Sequence, residues 1–376
     1  MTIINVPKSV IAFAGEGNLD LYKGFTDFWN HYQTEMLGKT GLYFQRTRNV
    51  NGKEVDFSLP EKEAIINTAL KKEIIRKAGI TNINDFPLTT WAGHPVLNYI
   101  TFAVVSNLID MILPDTLIRS VGIYSDIKTV GFGDTAAFNV TPRDLFTVSK
   151  VGRAKRQTEL KKQYRGQVVL NPEPRQIAVS VSLYRVLTGE ESLASFTMKA
   201  VKSMETELAY DIYSTFATAM GAISNTASTG LRVAGYSQAD FVRLSQTVRA
   251  WNSAEPIAIG TQAALASVLP ADANYRYDFE SEYVKVGHLK EFQMTRVIML
   301  EQIADYTTPF GLKLADNRIW IVSPSVDKLV KVAIEGSTLT STDQPYANAN
   351  LMQNANLQKS WQAAVATGAV GATIEL

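Results

Sequence analysis

The chain has 376 residues, 46% of them apolar and 19% charged, enough for a sizeable core and for one elaborated domain or two to three lobes. It contains no cysteine, which excludes disulfides, thiolate metal sites and cysteine nucleophiles. Its net charge of +1 is far below the basic excess of a strong DNA-binding domain.

The charge is uneven along the chain. Residues 1–120 hold twelve Lys and Arg against twelve Asp and Glu, residues 121–190 eleven against six, and residues 191–376 fourteen against eighteen. A basic middle between a neutral and an acidic part points to self-complementary association before nucleic-acid binding. The opening MTIINVPKSVIAFAG lacks the basic start, apolar stretch and cleavage site of a signal peptide, so the chain is expected to begin in the cytoplasm. The most apolar window, Val96 to Leu113, is interrupted by Asn98, Thr101, Ser106, Asn107 and Asp110 and reads as a buried helix, not a membrane span.

In chain order, Asn51-Gly52 is a hairpin turn signal, because both residues tolerate positive φ. Ser58-Leu59-Pro60-Glu61 opens a helix with Ile65, Ile66, Ala69, Leu70, Ile74 and Ile75 on one face and Gly79 as its stop. A second, more buried helix is predicted over 96–112, ending before Pro114. VGIYSDI and AAFNV then read as strands. RAKRQTELKKQYRG follows, basic and almost without apolar residues, and QVVLNPEPRQIAVSVSLYRV comes after it, with Ile177, Val179, Val181 and Leu183 alternating. The pattern is a long β-hairpin or loop with a basic tip, unable to bury itself alone. Arms of about ten residues would reach roughly 30–35 Å.

Thr188-Gly189-Glu190-Glu191 is read as the start of the longest helix, running to about residue 221. Its apolar stripe is Leu193, Phe196, Ala200, Met204, Leu208, Ile212 and Phe216, which is core packing and not a cofactor box. From Ser237 helices and strands alternate: a capping box at Ser237–Asp240, the strand PIAIGTQ, a helix QAALASVLP closed by Pro270, then strands in RVIMLEQI and RIWIV. VDKLVKVAIEG and a polar stretch from Gly336 to Asn356 follow, and LQKSWQAAVATGAVGATIEL reads as an amphipathic turn and a final strand.

Signs of catalysis are weak. His31, His94 and His288 lie far apart without metal-ligand spacing, and no G-x-S-x-G elbow occurs. Gly131-Phe132-Gly133-Asp134 lacks the GKS/T of a phosphate loop and reads as a tight turn between strands. The basic run has two main readings, a solvated loop tip or a tip that docks on an acidic neighbouring subunit. Nucleic-acid binding ranks third, since Tyr164 is its only aromatic. The expectation is no enzyme activity, no cofactor and no metal.

This order of elements resembles the Hong Kong 97-type fold of tailed-phage major capsid proteins. GFGDTAAFNVTPRDLFTVSKVGRAKRQTELKKQYRGQVVL looks like the extension loop of that family, and EESLASFTMKAVKSMETELAYDIYSTFATAM looks like its spine helix. The stretch from Ser237 to Ile321 looks like its axial domain, and IWIVSPSVDKLVKVAIEG like its return to the peripheral domain. The resemblance implies an α+β fold. Its parts are an N-terminal arm or region (1–120), an extension loop with flanking strands (121–190, tip about 150–166), a spine helix and peripheral domain (190–236), an axial domain (237–321) and a return with the C-terminus (322–376). It implies inter-subunit contacts at the loop tip, on Lys150, Arg153, Lys155, Arg156, Lys161, Lys162 and Arg165. It further implies pentamers and hexamers in an icosahedral shell, assembled in the host cytoplasm and located in the virion. The implied partners are a portal protein, scaffolding and decoration proteins where a member uses them, and packaged double-stranded DNA bound without sequence specificity; no membrane is implied. The family prototype cross-links its subunits through Lys and Asn, but no partner Asn is identifiable for Lys155, Lys161 or Lys162, and cross-linking is not expected. Two other readings are an encapsulin-like compartment shell, against which the long N-terminal region argues, and a cytoplasmic α/β enzyme with a site built from scattered residues.

Overall fold

In a computed structural model, the structure describes residues 19–37, 47–50, 53–80, 95–122, 124–140, 165–182, 190–224, 230–270, 286–306, 308–342 and 353–376, with Lys162, Arg185 and Tyr283. The fold is α+β: a helical layer, two main sheets and small two-stranded ladders, of which the first is the antiparallel pair β1 (Thr47–Val50) and β2 (Lys53–Asp56) and the last is β11 (Ala304–Asp305) with β12 (Gly311–Leu312).

The helical layer comprises α1 (Leu19–Leu37), α2 (Leu59–Lys77), α3 (Pro95–Ser120) and α4 (Leu193–Ser224). Helix α2 starts as its sequence dictates. The Glu61 carboxylate accepts from the Ser58 backbone N–H at 2.9 Å, the reciprocal half of a capping box, and Gly79 takes φ +71° just past the end. Its buried face, Ile66, Leu70 and Ile74, packs with Phe25, Phe28 and Trp29 of α1. Lys62, also buried, pairs with Asp27 at 3.3 Å.

Helix α3 is longer than its sequence suggests. It continues through Pro114 to Ser120, although proline removes one backbone bond and was expected to end the helix. Leu113 and Leu117 on either side are fully buried, so packing holds the segment helical where local propensity would stop it. By length and composition Val96–Pro114 could cross a membrane, but 72% of its most apolar window is buried inside the fold.

The first sheet has the order β6 (Glu173–Val181), β16 (Gln353–Val365), β14 (Val330–Glu335), β3 (Ser125–Val130), with β15 (Leu339–Thr342) beside β16 beyond the end of β14. β3 and β14 are parallel; the other pairs are antiparallel. Val330, Val332 and Ile334 face the helices, and Ala333 faces the opposite side. The thirteen-residue strand β16 replaces the expected amphipathic turn. Its alternation is masked because a charged residue, Lys359, lies on the buried face between Leu357 and Trp361. Lys359 is buried against Asp110 of α3, and Asp110 also accepts from the Thr338 backbone N–H at 2.9 Å.

The second sheet has the order β7 (Arg232–Ala234), β17 (Ala372–Glu375), β13 (Arg318–Val322), β8 (Ile257–Thr261), β10 (Thr295–Leu300), β9 (Glu291–Phe292). Ile319, Ile321 and Ala258 pack beneath α5 (Gln238–Asn252) in a separate core with Phe241, Leu244 and Val248. Trp320, Val322 and Ile259 face the other way and join the main core. The chain's last strand, β17, thus closes the second lobe.

Three local expectations are corrected. Helix α4 starts at Leu193, with Ser192 Oγ accepting from the Ser195 N–H at 3.1 Å, while Glu190 and Glu191 are bound to Arg185 at 3.1 Å each. Thr188 lies outside the described residues. No side-chain cap forms at Ser237, because Asp240 is turned to Arg243 at 3.2 Å. QAALASVLP holds only one helical turn, α6 (Gln262–Leu265), capped by Thr261.

Asp110→Ala should destabilise the protein by about 3–5 kcal/mol, because Lys359 keeps a buried, uncompensated charge. Lys359→Met with Asp110→Leu should recover most of that loss, read as the urea midpoint. Met204→Pro, in the middle of α4, should cost about 3 kcal/mol or more and give an unfolded chain by circular dichroism. Burial pushes the phenols of Tyr124 and Tyr213 above their usual range, and that of Tyr236, hydrogen-bonded to the Leu269 carbonyl, up to about 12. A raised folded value gives stability that is intact below the unfolded value near 10 and lost as the pH climbs to about 12. The absorbance of these three phenolates should therefore rise together with unfolding in that window; their ionisation near pH 10 with the fold intact would contradict it.

Candidate assembly surfaces

Strands β4 (Ala136–Val140) and β5 (Gly166–Leu170) form an antiparallel ladder outside both main sheets. The turn before β4 is tight, as its glycines suggest. Asp134 N–H donates to Gly131 O at 3.2 Å, Gly133 takes φ +73°, and Glu335 of the first sheet accepts from the Gly133 N–H at 2.8 Å. Lys128 Nζ donates to Ala137 O at 2.7 Å and sits over the Phe138 ring at 4.4 Å. Ala136, Phe138 and Leu170 form a small core with Ala333 of the sheet beneath. The outer residues Ala137, Asn139, Gln167 and Val169 are exposed.

Val140 and Gly166 are direct partners in this register, so the chain leaves and re-enters the ladder at one point. The intervening residues 141–165 carry eight Lys and Arg against Asp144 and Glu159. Of the basic residues singled out in sequence, Lys162 and Arg165 are exposed. Lys150, Arg153, Lys155, Arg156 and Lys161 lie outside the described residues. The expected ten-residue hairpin arms are described over five residues each. Strand β6, which the sequence placed in the second arm, turns away at Asn171–Pro172 and pairs with β16 in the first sheet.

In α4 the residues Leu193, Ala200, Met204, Leu208, Ile212 and Phe216 are buried, and Phe196 is half-buried, edge-on to Phe102 of α3 at 6.3 Å. The helix reaches the helical layer and both main sheets. Asn67 of α2 donates to Ser192 Oγ at 2.9 Å, and Trp361 Nε1 of β16 donates to Asp211 at 2.9 Å. Phe216 meets the Trp320 ring at 5.2 Å.

His31 pairs with Glu35 at 3.1 Å, His288 is buried, and His94 lies outside the described residues. Among the described residues no group of three His, Asp or Glu could hold a metal ion.

The sequence pattern does not reveal the exposed apolar residues of the second lobe, Trp251 near the end of α5 and Met294, Tyr306 and Phe310 in turns. The only signal for them was Pro309-Phe310-Gly311, a turn dipeptide interrupted by an aromatic.

No protein-family model matches the chain, and no curated protein matches it in sequence. Among solved structures, it is similar to the capsid of a native GTA particle, with 11% identity over 68% of this chain and 89% of the other at a TM-score of 0.48. It is also similar to the mature capsid of bacteriophage PhiM1, with 10% identity over 67% and 85% and a TM-score of 0.42. A virus-like particle from Pyrococcus furiosus gives 9% identity over 70% and 96%, with a TM-score of 0.40.

Proposed function

We propose that this chain is the major capsid protein of a tailed bacteriophage, with a Hong Kong 97-like fold, and that it assembles as pentamers and hexamers into an icosahedral shell around double-stranded DNA. The observation that carries the reading is the β4–β5 ladder, which rests on the body by one face and whose paired ends, Val140 and Gly166, are joined in sequence by the strongly basic residues 141–165. A two-stranded ladder is marginal alone, and ordering the chain beyond it costs conformational entropy that a contact must offset. A neighbouring copy is the natural support, since residues 191–376 are acidic overall.

In this reading residues 121–190 are the extension loop with its flanking strands, and Lys150, Arg153, Lys155, Arg156, Lys161, Lys162 and Arg165 lie at its tip. Helix α4 is the spine, the second sheet with α5 is the axial domain, the first sheet is the peripheral domain, and residues 1–120 form the N-terminal region. The role is structural, not enzymatic. The shell would be built in the host cytoplasm, would include a portal protein at one vertex, and would hold DNA without reading its sequence.

Reversing the charge at Lys155, Arg156, Lys161 and Lys162 should leave the subunit folded and abolish or strongly reduce assembly, measured by sedimentation velocity beside the wild-type chain. Shells of normal size and yield from that variant would sink the docking role of the loop.

A further inference from the structure

We propose that Lys359 and Asp110 condense to an amide inside the folded chain, an isopeptide bond between β16 and α3 formed with release of one water. The site stands apart from the shell reading and does not depend on it.

The two groups meet deep in the apolar core. Lys359 is 1% exposed and Asp110 3%. Leu357 and Trp361 flank Lys359 on the buried face of β16, and Leu108, Ile109 and Leu113 around Asp110 on α3 are fully buried. Two other buried lysines are placed differently. Lys62 pairs with Asp27 and Lys331 with Asp327, and both carboxylates reach water, their side chains being 13% and 23% exposed. Among the described residues the Lys359 ammonium is bound by Asp110 alone.

The backbone fixes the encounter. Lys359 lies inside the first sheet, paired with Arg175 of β6, and the preceding Gln358 is paired with Leu339 of β15. Helix α3 is bound to the same sheet one turn before Asp110, where Ser106 meets Thr340 of β15. Neither group can withdraw to water without breaking strand pairs or unpacking the helix. Reactants held in contact in this way gain the rate that free groups lose to diffusion and disorder.

The carboxyl group is set for attack. Its Oδ2 accepts from the Thr338 backbone N–H at 2.9 Å, and its Oδ1 accepts from the Thr338 hydroxyl and from Lys359. The backbone donor faces the oxygen on which negative charge develops as an amine adds to Cγ. The hydroxyl lies at the oxygen that departs, where it can relay a proton.

The step balances with these groups alone. The ammonium gives one proton to Oδ1, and the freed nitrogen lone pair adds to Cγ. A second proton then passes from nitrogen through the Thr338 hydroxyl to Oδ1, the Cγ–Oδ1 bond breaks, and water leaves. Of the three ammonium hydrogens one stays on the amide and two depart with the oxygen. No oxidant, metal or co-reactant enters. Apolar surroundings penalise the separated charges and not the neutral amide, which keeps the Thr338 hydrogen bond. The ion pair is the form in which the chain folds, and the amide follows, since only the fold brings together residues 249 apart in sequence. The bond closes residues 110–359 into a covalent ring, which restricts the unfolded chain.

Denaturing intact-mass spectrometry of the full wild-type chain tests the bond, read after purification and again after incubation of the folded protein. The expected mass is that of the sequence less one water. Trypsin should leave residues 78–119 joined to residues 332–376, because a linked Lys359 is no longer a cleavage site. Lys359→Arg, shown to be folded by circular dichroism, should have the full mass and separate peptides. If Lys359→Arg misfolds, Lys359→Met with Asp110→Leu takes its place under the same expectation. A folded wild-type chain that keeps its full mass throughout would overturn the inference. So would a loss of water confined to residues 78–119, the mark of an aspartyl imide, or one that persists without Lys359. A full-mass chain that forms shells would remove the bond and leave the shell reading standing, whereas a linked chain that never assembles would do the reverse.

Discussion

Helix α4 is the constraint on which the rest of the structure depends. Its stripe from Leu193 to Phe216 is not shared with one sheet, as in an ordinary two-layer domain, but divided among three partners. Toward its start it packs on α3 through Phe196 and Phe102. At Asp211 it binds Trp361 of the first sheet, and at Tyr213 and Phe216 it meets Trp320 of the second. The two sheets share no strand, so their relation is set largely through this rod. Its 32 residues span roughly 48 Å, long enough to reach from the helical layer to both sheets.

The buried Lys359–Asp110 pair has a different part. Apolar residues of similar volume would pack there with equal or greater stability. What the pair supplies is position: Asp110 also binds Thr338, so one carboxylate aligns α3, β16 and the segment entering β15. The surface features show the opposite economy. The β4–β5 ladder and the left-handed turns at Met294 and Phe310 are less stable choices for an isolated subunit, and the proposed shell would offset their cost by covering them.

Much of this was legible in sequence where one physical signal acted alone. The stripe of α4, the capping box at Ser58 and Glu61, the Gly131–Asp134 turn and the apolar runs of β8 and β13 follow from period and turn chemistry. Errors arose where two signals competed. Pro114 argued for a helix end, and burial of Leu113 and Leu117 overrode it. Glu190 and Glu191 suited a helix start, but Arg185 engages them outside the helix. Lys359 broke the alternation of β16, since its partner Asp110 lies 249 residues away in sequence. The exposed turns were invisible because an apolar residue in a loop carries no period, and only a backbone angle reveals that it is held at a cost.

The most direct test of the account is negative-stain electron microscopy of the purified wild-type chain across protein concentration and ionic strength. The account predicts uniform hollow shells, or rings of five or six copies, that dissociate as salt screens the contact between basic and acidic surfaces. A monodisperse monomer under every condition would contradict it.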